Sequence, residues 1–182
     1  METIARTFTP PTADEVSESN QAIFADLHKK LGFVPNLYAY YAKNDHALKD
    51  YLQFQNRKTV LSAKEKEIIN LVVSEYNSCQ YCLSAHTAIA KMNGFDEDQI
   101  KEIRGGTASF HPKYDALAKL VRSTVENKGR ATETAKEKFL EVGYTEAALV
   151  DVAMGIGEKT VSNFLHNLTG FEIDFPLAEP LS

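Results

Sequence analysis

Two cysteines and one histidine form the clearest chemical pattern in the sequence. Cys79 and Cys82 are three residues apart, and His86 follows Cys82 by four residues. On an α-helix these spacings place the three side chains on one face. A neighbouring histidine and a helix N-terminus both favour the thiolate, which is the reactive form of cysteine. The pattern therefore predicts a redox-active dithiol.

Cys82 is the predicted attacking sulfur, because its side chain can meet that of His86 one helical turn later. Attack of a thiolate on a peroxide oxygen gives a sulfenic acid. Cys79, one turn earlier, could then condense with this sulfenic acid to form a disulfide and release water. A second thiol donor would reduce the disulfide by exchange.

Glu67 joins the predicted site through the geometry of a helical hairpin. The helical pattern breaks at Asn77, where we expect the chain to reverse. Glu67 lies ten residues before Asn77 and His86 nine residues after it. In an antiparallel helix pair both side chains then lie roughly 14–15 Å from the turn. A carboxylate at that position would hold the imidazole in one tautomer and raise its basicity.

Other roles for the cysteine pair stay open at this point. Cys-x-x-Cys is also half of many zinc sites, with His86 and a further histidine as the remaining ligands. That further ligand would come from His28, His46, His111 or His166, none of which has a recognised zinc spacing. Covalent haem attachment requires a histidine at the position of Leu83. Two inert, buried cysteines are the last alternative.

Helical periodicity recurs along the sequence, and strand signals are scarce. Ser62 and Glu65 have the spacing of a capping box at the start of a helix. We therefore expect an all-α, single-domain helical bundle over residues 1–182, with a central antiparallel helix pair over 62–94 that carries the Cys-x-x-Cys motif. Further helices are expected from Asp14 to Gly32 and over 111–128, 132–142 and 145–169, between an N-terminal arm (1–13) and a C-terminal strap (171–182).

The composition excludes several classes of function. The formal net charge is −5 and no basic run is interleaved with aromatic residues, which argues against nucleic acid as a partner. No apolar stretch has the length of a signal peptide or a membrane span. We expect a cytoplasmic protein, and in that reducing compartment a close cysteine pair is more often catalytic, redox-sensing or metal-binding than structural.

The spacing of the candidate residues resembles the active-site pattern of a known family. The pattern consists of Glu67, a gap of eleven residues, Cys79-x-x-Cys82, a gap of three residues and His86. It looks like the active-site pattern of the alkylhydroperoxidase D family, which belongs to the carboxymuconolactone decarboxylase superfamily. Residues 72–86 are similar to the core helix pair of that family. Residues 32–36 and 159–164 are similar to outer stretches of it.

The resemblance implies a mechanism and a set of partners. It makes Cys82 the peroxide-reactive sulfur, Cys79 its disulfide partner, and His86 with Glu67 a proton relay. It implies an all-helical homo-oligomer (a dimer, trimer or hexamer) with no haem or flavin. From the spacing of the possible ligands, we expect no metal. It also implies reduction by a lipoylated or thioredoxin-like protein. Tyr81 departs from relatives that carry a histidine between the two cysteines.

Three hypotheses about function follow from these observations. The first is an antioxidant oxidoreductase, a thiol-dependent peroxidase or disulfide reductase that works through Cys82 and Cys79. The second is a redox adaptor or stress sensor that passes electrons to a partner protein. The third is a helical protein that binds a small apolar ligand and whose thiols are idle.

Overall fold

The computed structural model describes residues 7–181, and its regular secondary structure is all helical, as the sequence predicts. Within this range the chain forms one short 3-10 helix and nine α-helices, and no β-strand. The 3-10 helix covers Ala13–Glu15, and the α-helices are α1 (Glu18–Leu31), α2 (Asn36–Tyr41), α3 (Ala47–Gln55), α4 (Ala63–Tyr76), α5 (Gln80–Met92), α6 (Glu97–Arg104), α7 (Pro112–Glu126), α8 (Glu133–Glu141) and α9 (Glu146–Thr169). Residues 1–6 of the predicted arm and residue 182 of the predicted strap lie outside the described residues.

The described chain divides into two compact units. One comprises residues up to 57 together with 165–174, and the other comprises residues 58–164 with the C-terminal residues from 175 onwards. The single domain over residues 1–182 stays a prediction. In the part of the chain that the structure describes, no helix is long and apolar enough to cross a membrane.

The start of the first helix differs from its prediction. Asp14 does not cap it, because Asp14 lies inside the short 3-10 helix, where Thr12 and Glu15 bond reciprocally. Val16 is extended after this turn, and α1 begins only after Ser17. Its predicted end is confirmed: Gly32 is left-handed, with φ of 85°, and donates to the His28 carbonyl.

The larger unit is built around α4, which packs against α5, α6 and α7. Its apolar residues Ile68, Leu71 and Val72 are buried in one cluster with Leu117 and Leu120 of α7. This burial explains why α4 carries hydrophobic residues around almost its whole circumference. Because α4 is packed on several sides, its side chains, including Glu67, are held in fixed positions.

The α4–α5 pair forms the predicted antiparallel hairpin. Ser62 caps α4, and its backbone N–H donates to Glu65 Oε2 at 2.7 Å, which completes the capping box. Asn77 ends α4, and Ser78 adopts a left-handed φ of 52° before Cys79 caps α5. The helices predicted over 111–128, 132–142 and 145–169 are α7, α8 and α9. Residues 170–181 form no helix, in agreement with the predicted strap.

Candidate active site

The two cysteines lie at the first turn of α5. Cys79 is the N-cap residue, and its Sγ accepts a hydrogen bond from the backbone N–H of Cys82 at 3.4 Å. Both are free thiols, with exposed fractions of 0% and 1% respectively. The two thiols are therefore close together and shielded from water.

Glu67 and His86 meet across the hairpin, as the register of the two helices predicts. The Nδ1 atom of His86 lies 2.7 Å from Oε2 of Glu67. The other carboxylate oxygen accepts a hydrogen bond from Asn70 Nδ2 at 3.0 Å. Both members of the pair are buried. Because a carboxylate only accepts hydrogen bonds, the proton of the neutral imidazole lies on Nδ1, and Nε2 is left as the basic nitrogen.

The pKa of the Cys82 thiol is lowered from 9.0 to about 6. The largest cause is the hydrogen bond from the Cys79 thiol, which stabilises the Cys82 thiolate. Burial acts in the opposite direction. The positive charge of Lys159, the His86 ring and a hydrogen bond from Asn163 then add to the lowering. At neutral pH most Cys82 side chains are therefore thiolates.

The pKa values of Cys79 and Glu67 shift in directions that agree with a Cys82 thiolate. The pKa of Cys79 is raised, chiefly because its thiol donates to Cys82, so Cys79 keeps its proton. Burial by itself would raise the pKa of Glu67, but the charge and hydrogen bond of His86 outweigh it, helped by Lys159 and Asn70. The pKa of Glu67 is lowered as a result. Its carboxylate is therefore charged at neutral pH.

Two residues of α9 belong to this site although the sequence analysis gave them no role. Asn163 is fully buried, donates from Nδ2 to Ser74 Oγ at 3.1 Å and accepts at Oδ1 from Asn77 Nδ2 at 3.0 Å. Lys159, one turn earlier, is 1% exposed, and its charge acts on Glu67 and Cys82. Both lie within residues 159–164, a segment that resembles an outer stretch of the family. That resemblance is the feature of the sequence that could have indicated a role for Lys159 and Asn163.

The C-terminal strap lies against the first turns of α5. Gln80 Nε2 donates to the carbonyl of Ala178 at 2.7 Å, and the Ala178 N–H donates to Ser84 Oγ at 3.0 Å. The ring of Phe175 meets the ring of Tyr81 edge-on, at 5.6 Å between centroids. Three residues that flank or lie between the cysteines therefore contact the strap.

The donor set does not resemble a metal centre. Among residues 7–181, no group of three or more His, Cys, Asp or Glu side chains is placed to hold a metal ion. His166, one of the candidate zinc ligands, instead has its Nε2 3.1 Å from the carbonyl of Phe171.

Comparison with known families adds an independent observation. Residues 42–122 match the model of the carboxymuconolactone decarboxylase family. This part of the chain is similar to that family. The family region contains Glu67, Cys79, Cys82 and His86, whereas Lys159 and Asn163 lie beyond it. The resemblance found in the sequence is thus confirmed over the part of the chain that carries the motif.

Solved structures share the fold of this chain. The alkylhydroperoxidase AhpD core, an uncharacterised peroxidase-related protein from Ralstonia eutropha JMP134, has a TM-score of 0.82 and 20% identity over 92% of this chain and 91% of that chain. An uncharacterised peroxidase-related protein from Silicibacter sp. TM1040 has a TM-score of 0.75 and 23% identity over 98% and 96%. The fold is therefore that of the alkylhydroperoxidase D-like proteins.

A third structure with this fold has a different named activity. The debrominase Bmp8, as a cysteine-to-alanine variant in complex with 2,3,4-tribromopyrrole, has a TM-score of 0.76 and 16% identity over 95% of this chain and 94% of that chain. Comparison with curated proteins gives no match. At these identities the likeness establishes the fold of the chain.

Proposed function

We propose that the protein is a thiol-dependent peroxidase that reduces hydroperoxides with the Cys79–Cys82 dithiol. The observation that carries this proposal is the placement of two adjacent, buried thiols at the first turn of α5, where Cys79 is the N-cap and its Sγ accepts from the Cys82 N–H. The lowered pKa of Cys82 and the raised pKa of Cys79 agree with this placement. A thiolate next to a protonated thiol provides both a nucleophile and a resolving group. The buried His86–Glu67 pair supplies a base close to the same turn.

The proposed reaction has two balanced steps. In the first, the Cys82 thiolate attacks the terminal oxygen of a hydroperoxide, the O–O bond breaks and the alkoxide takes a proton to leave as the alcohol. In the second, the Cys79 sulfur attacks the Cys82 sulfenic acid, an S–S bond forms and water leaves. The hydroperoxide gains two electrons, and the dithiol is oxidised to a disulfide.

The His86–Glu67 pair is the proposed proton relay for both steps. The Glu67 carboxylate fixes the imidazole through Nδ1, so a proton held on Nε2 can pass to the leaving alkoxide in the first step. In the second step Nε2 takes up the Cys79 thiol proton and passes it to the hydroxide that leaves as water. An imidazolium formed in this way is stabilised by the adjacent carboxylate. A protein dithiol, such as a lipoylated or thioredoxin-like protein, would then reduce the disulfide by exchange.

Reductive debromination is a second candidate, favoured by the shared fold of the debrominase Bmp8. The same dithiol could supply two electrons to an aryl bromide, giving the arene, hydrogen bromide and the Cys79–Cys82 disulfide. Both reactions oxidise the cysteine pair, so the substrate distinguishes them. Bromide release from 2,3,4-tribromopyrrole by the reduced protein would favour this second function.

The peroxidase proposal is tested by trapping the first intermediate. In Cys79→Ser no resolving thiol is present, so one equivalent of cumene hydroperoxide should leave a sulfenic acid on Cys82. A carbon-acid probe such as dimedone labels this group, and peptide mass spectrometry locates it. The matched control is Cys82→Ser, in which residue 79 should stay unlabelled. Labelling at Cys79, or no labelling in either variant, would contradict the proposal.

A further inference from the structure

A single amide side chain joins helix α9 to the turn that carries the dithiol. Asn163 Nδ2 donates to Ser74 Oγ at 3.1 Å, and Asn163 Oδ1 accepts from Asn77 Nδ2 at 3.0 Å. Ser74 lies in the last turn of α4 and Asn77 is the C-cap of that helix, so both partners belong to the α4–α5 hairpin. Asn163 and Ser74 are fully buried. The hairpin therefore holds both ends of this amide away from water.

Ser74 connects the Asn163 amide to the two cysteines. The Ser74 hydroxyl oxygen accepts a hydrogen bond from Asn163, and the Ser74 backbone carbonyl accepts one from the Cys79 N–H at 3.0 Å. The Cys79 sulfur in turn accepts a hydrogen bond from the Cys82 N–H. An asparagine amide carries two N–H groups, and Ser74 uses one of them. The second N–H is therefore left for the neighbouring sulfur atoms.

The hydrogen bonds of the amide decide which of its two ends faces the sulfur atoms. The oxygen and nitrogen ends of an asparagine amide are nearly equal in size, so packing alone does not choose between two orientations. The Nδ2 group of Asn77 only donates, and it therefore requires the oxygen end of Asn163. The nitrogen end of Asn163 then lies on the side of Ser74. Asn77 thus sets the direction of the Asn163 amide.

Both thiols respond to the nitrogen end of this amide. The pKa of Cys82 is lowered chiefly by the Cys79 thiol, and a hydrogen bond from Asn163 adds to the lowering. The pKa of Cys79 is raised chiefly by Cys82, and a hydrogen bond from Asn163 opposes that rise. Only a donor stabilises a thiolate, so these directions agree with an N–H₂ end that faces both sulfur atoms. The amide is thus placed to stabilise negative charge on either sulfur.

We propose that Asn163 is a catalytic residue that donates to the reacting sulfur, and that Asn77 is a positioning residue that orients the Asn163 amide. This inference rests on the proposed peroxidase function. In the first step the amide stabilises the Cys82 thiolate, and in the second it stabilises the negative charge that forms on Cys79 as its thiol loses the proton. The amide is neutral and keeps its own protons, so the atoms and electrons of both steps balance as before.

A purely structural role for Asn163 makes a different prediction. As a mere link between α9 and the hairpin, the amide would work equally well in either orientation, because the Ser74 hydroxyl donates as well as accepts. A reversed amide would keep a hydrogen bond at each end, provided that residue 77 accepts. It would, however, present its oxygen to the sulfur and repel a thiolate. Reversing the amide without changing Asn163 therefore separates the two roles.

Asn77→Asp is the substitution that reverses the amide, because a carboxylate only accepts hydrogen bonds. We expect the midpoint of the pH profile of iodoacetamide labelling at Cys82 to rise by about one pH unit, and labelling at pH 6 to slow by about fivefold. Ser78→Asp is the matched control for the added charge. Ser78 is exposed and adjacent to Cys79, and aspartate tolerates its left-handed backbone. This control should shift the midpoint clearly less.

Asn163→Leu tests the amide itself, since leucine has a similar shape and makes no hydrogen bond. Its midpoint should rise by about one pH unit as well, with folding checked by circular dichroism. Asn77 is only half-buried, so Asn77→Asp keeps the proposal testable if Asn163→Leu does not fold.

Two results would overturn the inference. A wild-type midpoint in folded Asn163→Leu would exclude the amide as a donor to the sulfur. Equal shifts in Asn77→Asp and Ser78→Asp would show that charge alone acts and that Asn77 does not orient the amide. Labelling requires no hydroperoxide, so a failure of the peroxidase proposal would appear in the sulfenic acid test and not in these profiles.

Discussion

His86 Nδ1 and Glu67 Oε2 lie 2.7 Å apart, although the two residues are nineteen positions apart in the sequence and lie on opposite sides of a chain reversal. The distance follows from the equal depth of both residues in the α4–α5 hairpin. Burial of the pair makes its charge state sensitive to the loss of either partner. The pair is thus the feature of the proposed mechanism that a single conservative substitution can test.

Glu67→Gln should lower the rate of hydroperoxide reduction by about 10²-fold or more. The amide keeps the size of the side chain but removes the charge that stabilises an imidazolium at His86. The measurement is the second-order rate constant of thiol oxidation by stopped flow. Glu97→Gln, on the exposed end of α6, is the control and should react like the wild type. A Glu67→Gln rate within twofold of the wild-type rate would exclude the relay.

The pH dependence of Cys82 reactivity follows from the direction of its pKa shift. A thiol with a pKa of about 6 is half thiolate at pH 6, and its alkylation rate should rise to a plateau near pH 7. An unperturbed thiol would instead gain about tenfold in rate per pH unit over this range. The rate of iodoacetamide labelling at Cys82 measures this profile. A rate that still rises steeply above pH 8 would contradict the assignment.

Lys159→Met should move the midpoint of that profile upwards. The substitution removes a buried positive charge that lowers the pKa of Cys82, while keeping a long unbranched side chain. We expect an increase of about one pH unit or more. Lys159→Arg keeps the charge and should keep the midpoint near that of the wild type. A Lys159→Met midpoint equal to the wild-type midpoint would show that the charge of Lys159 does not lower the pKa of Cys82.

Much of the fold and part of the site could be predicted from local sequence. The Ser62–Glu65 capping box and the break at Asn77 set the ends of α4, and the contact between Glu67 and His86 follows from them. The predicted start of the first helix at Asp14 is wrong, because the local sequence does not show that Thr12 and Glu15 bond each other around Asp14.

The contributions of α9 and the strap could not be predicted in the same way. Asn163 bonds to Ser74 across 89 positions of sequence, and Ala178 bonds to Ser84 across 94. Helical periodicity shows which face of a helix is buried, but it does not show which helix lies against that face. The roles of Lys159 and Asn163 therefore became visible only in the folded chain.

Loosening the strap should expose the dithiol to large reagents. The double variant Gln80→Ala/Ser84→Ala removes both hydrogen bonds to Ala178, each worth about 0.5–1.5 kcal/mol. We expect its reaction with a bulky aromatic disulfide to accelerate by about fivefold or more, because local opening becomes easier. Leu177→Ala changes an exposed strap residue and should react like the wild type. Equal rates in all three proteins would show that the strap does not restrict access.

The most direct test of the peroxidase proposal is a count of free thiols in the fully reduced protein. The count is taken seconds after one equivalent of an organic hydroperoxide is added. The wild type should lose both thiols to the Cys79–Cys82 disulfide, and Cys82→Ser should keep its single thiol. Retention of both thiols in the wild type, or loss of the thiol in Cys82→Ser, would contradict a peroxidase that acts through Cys82.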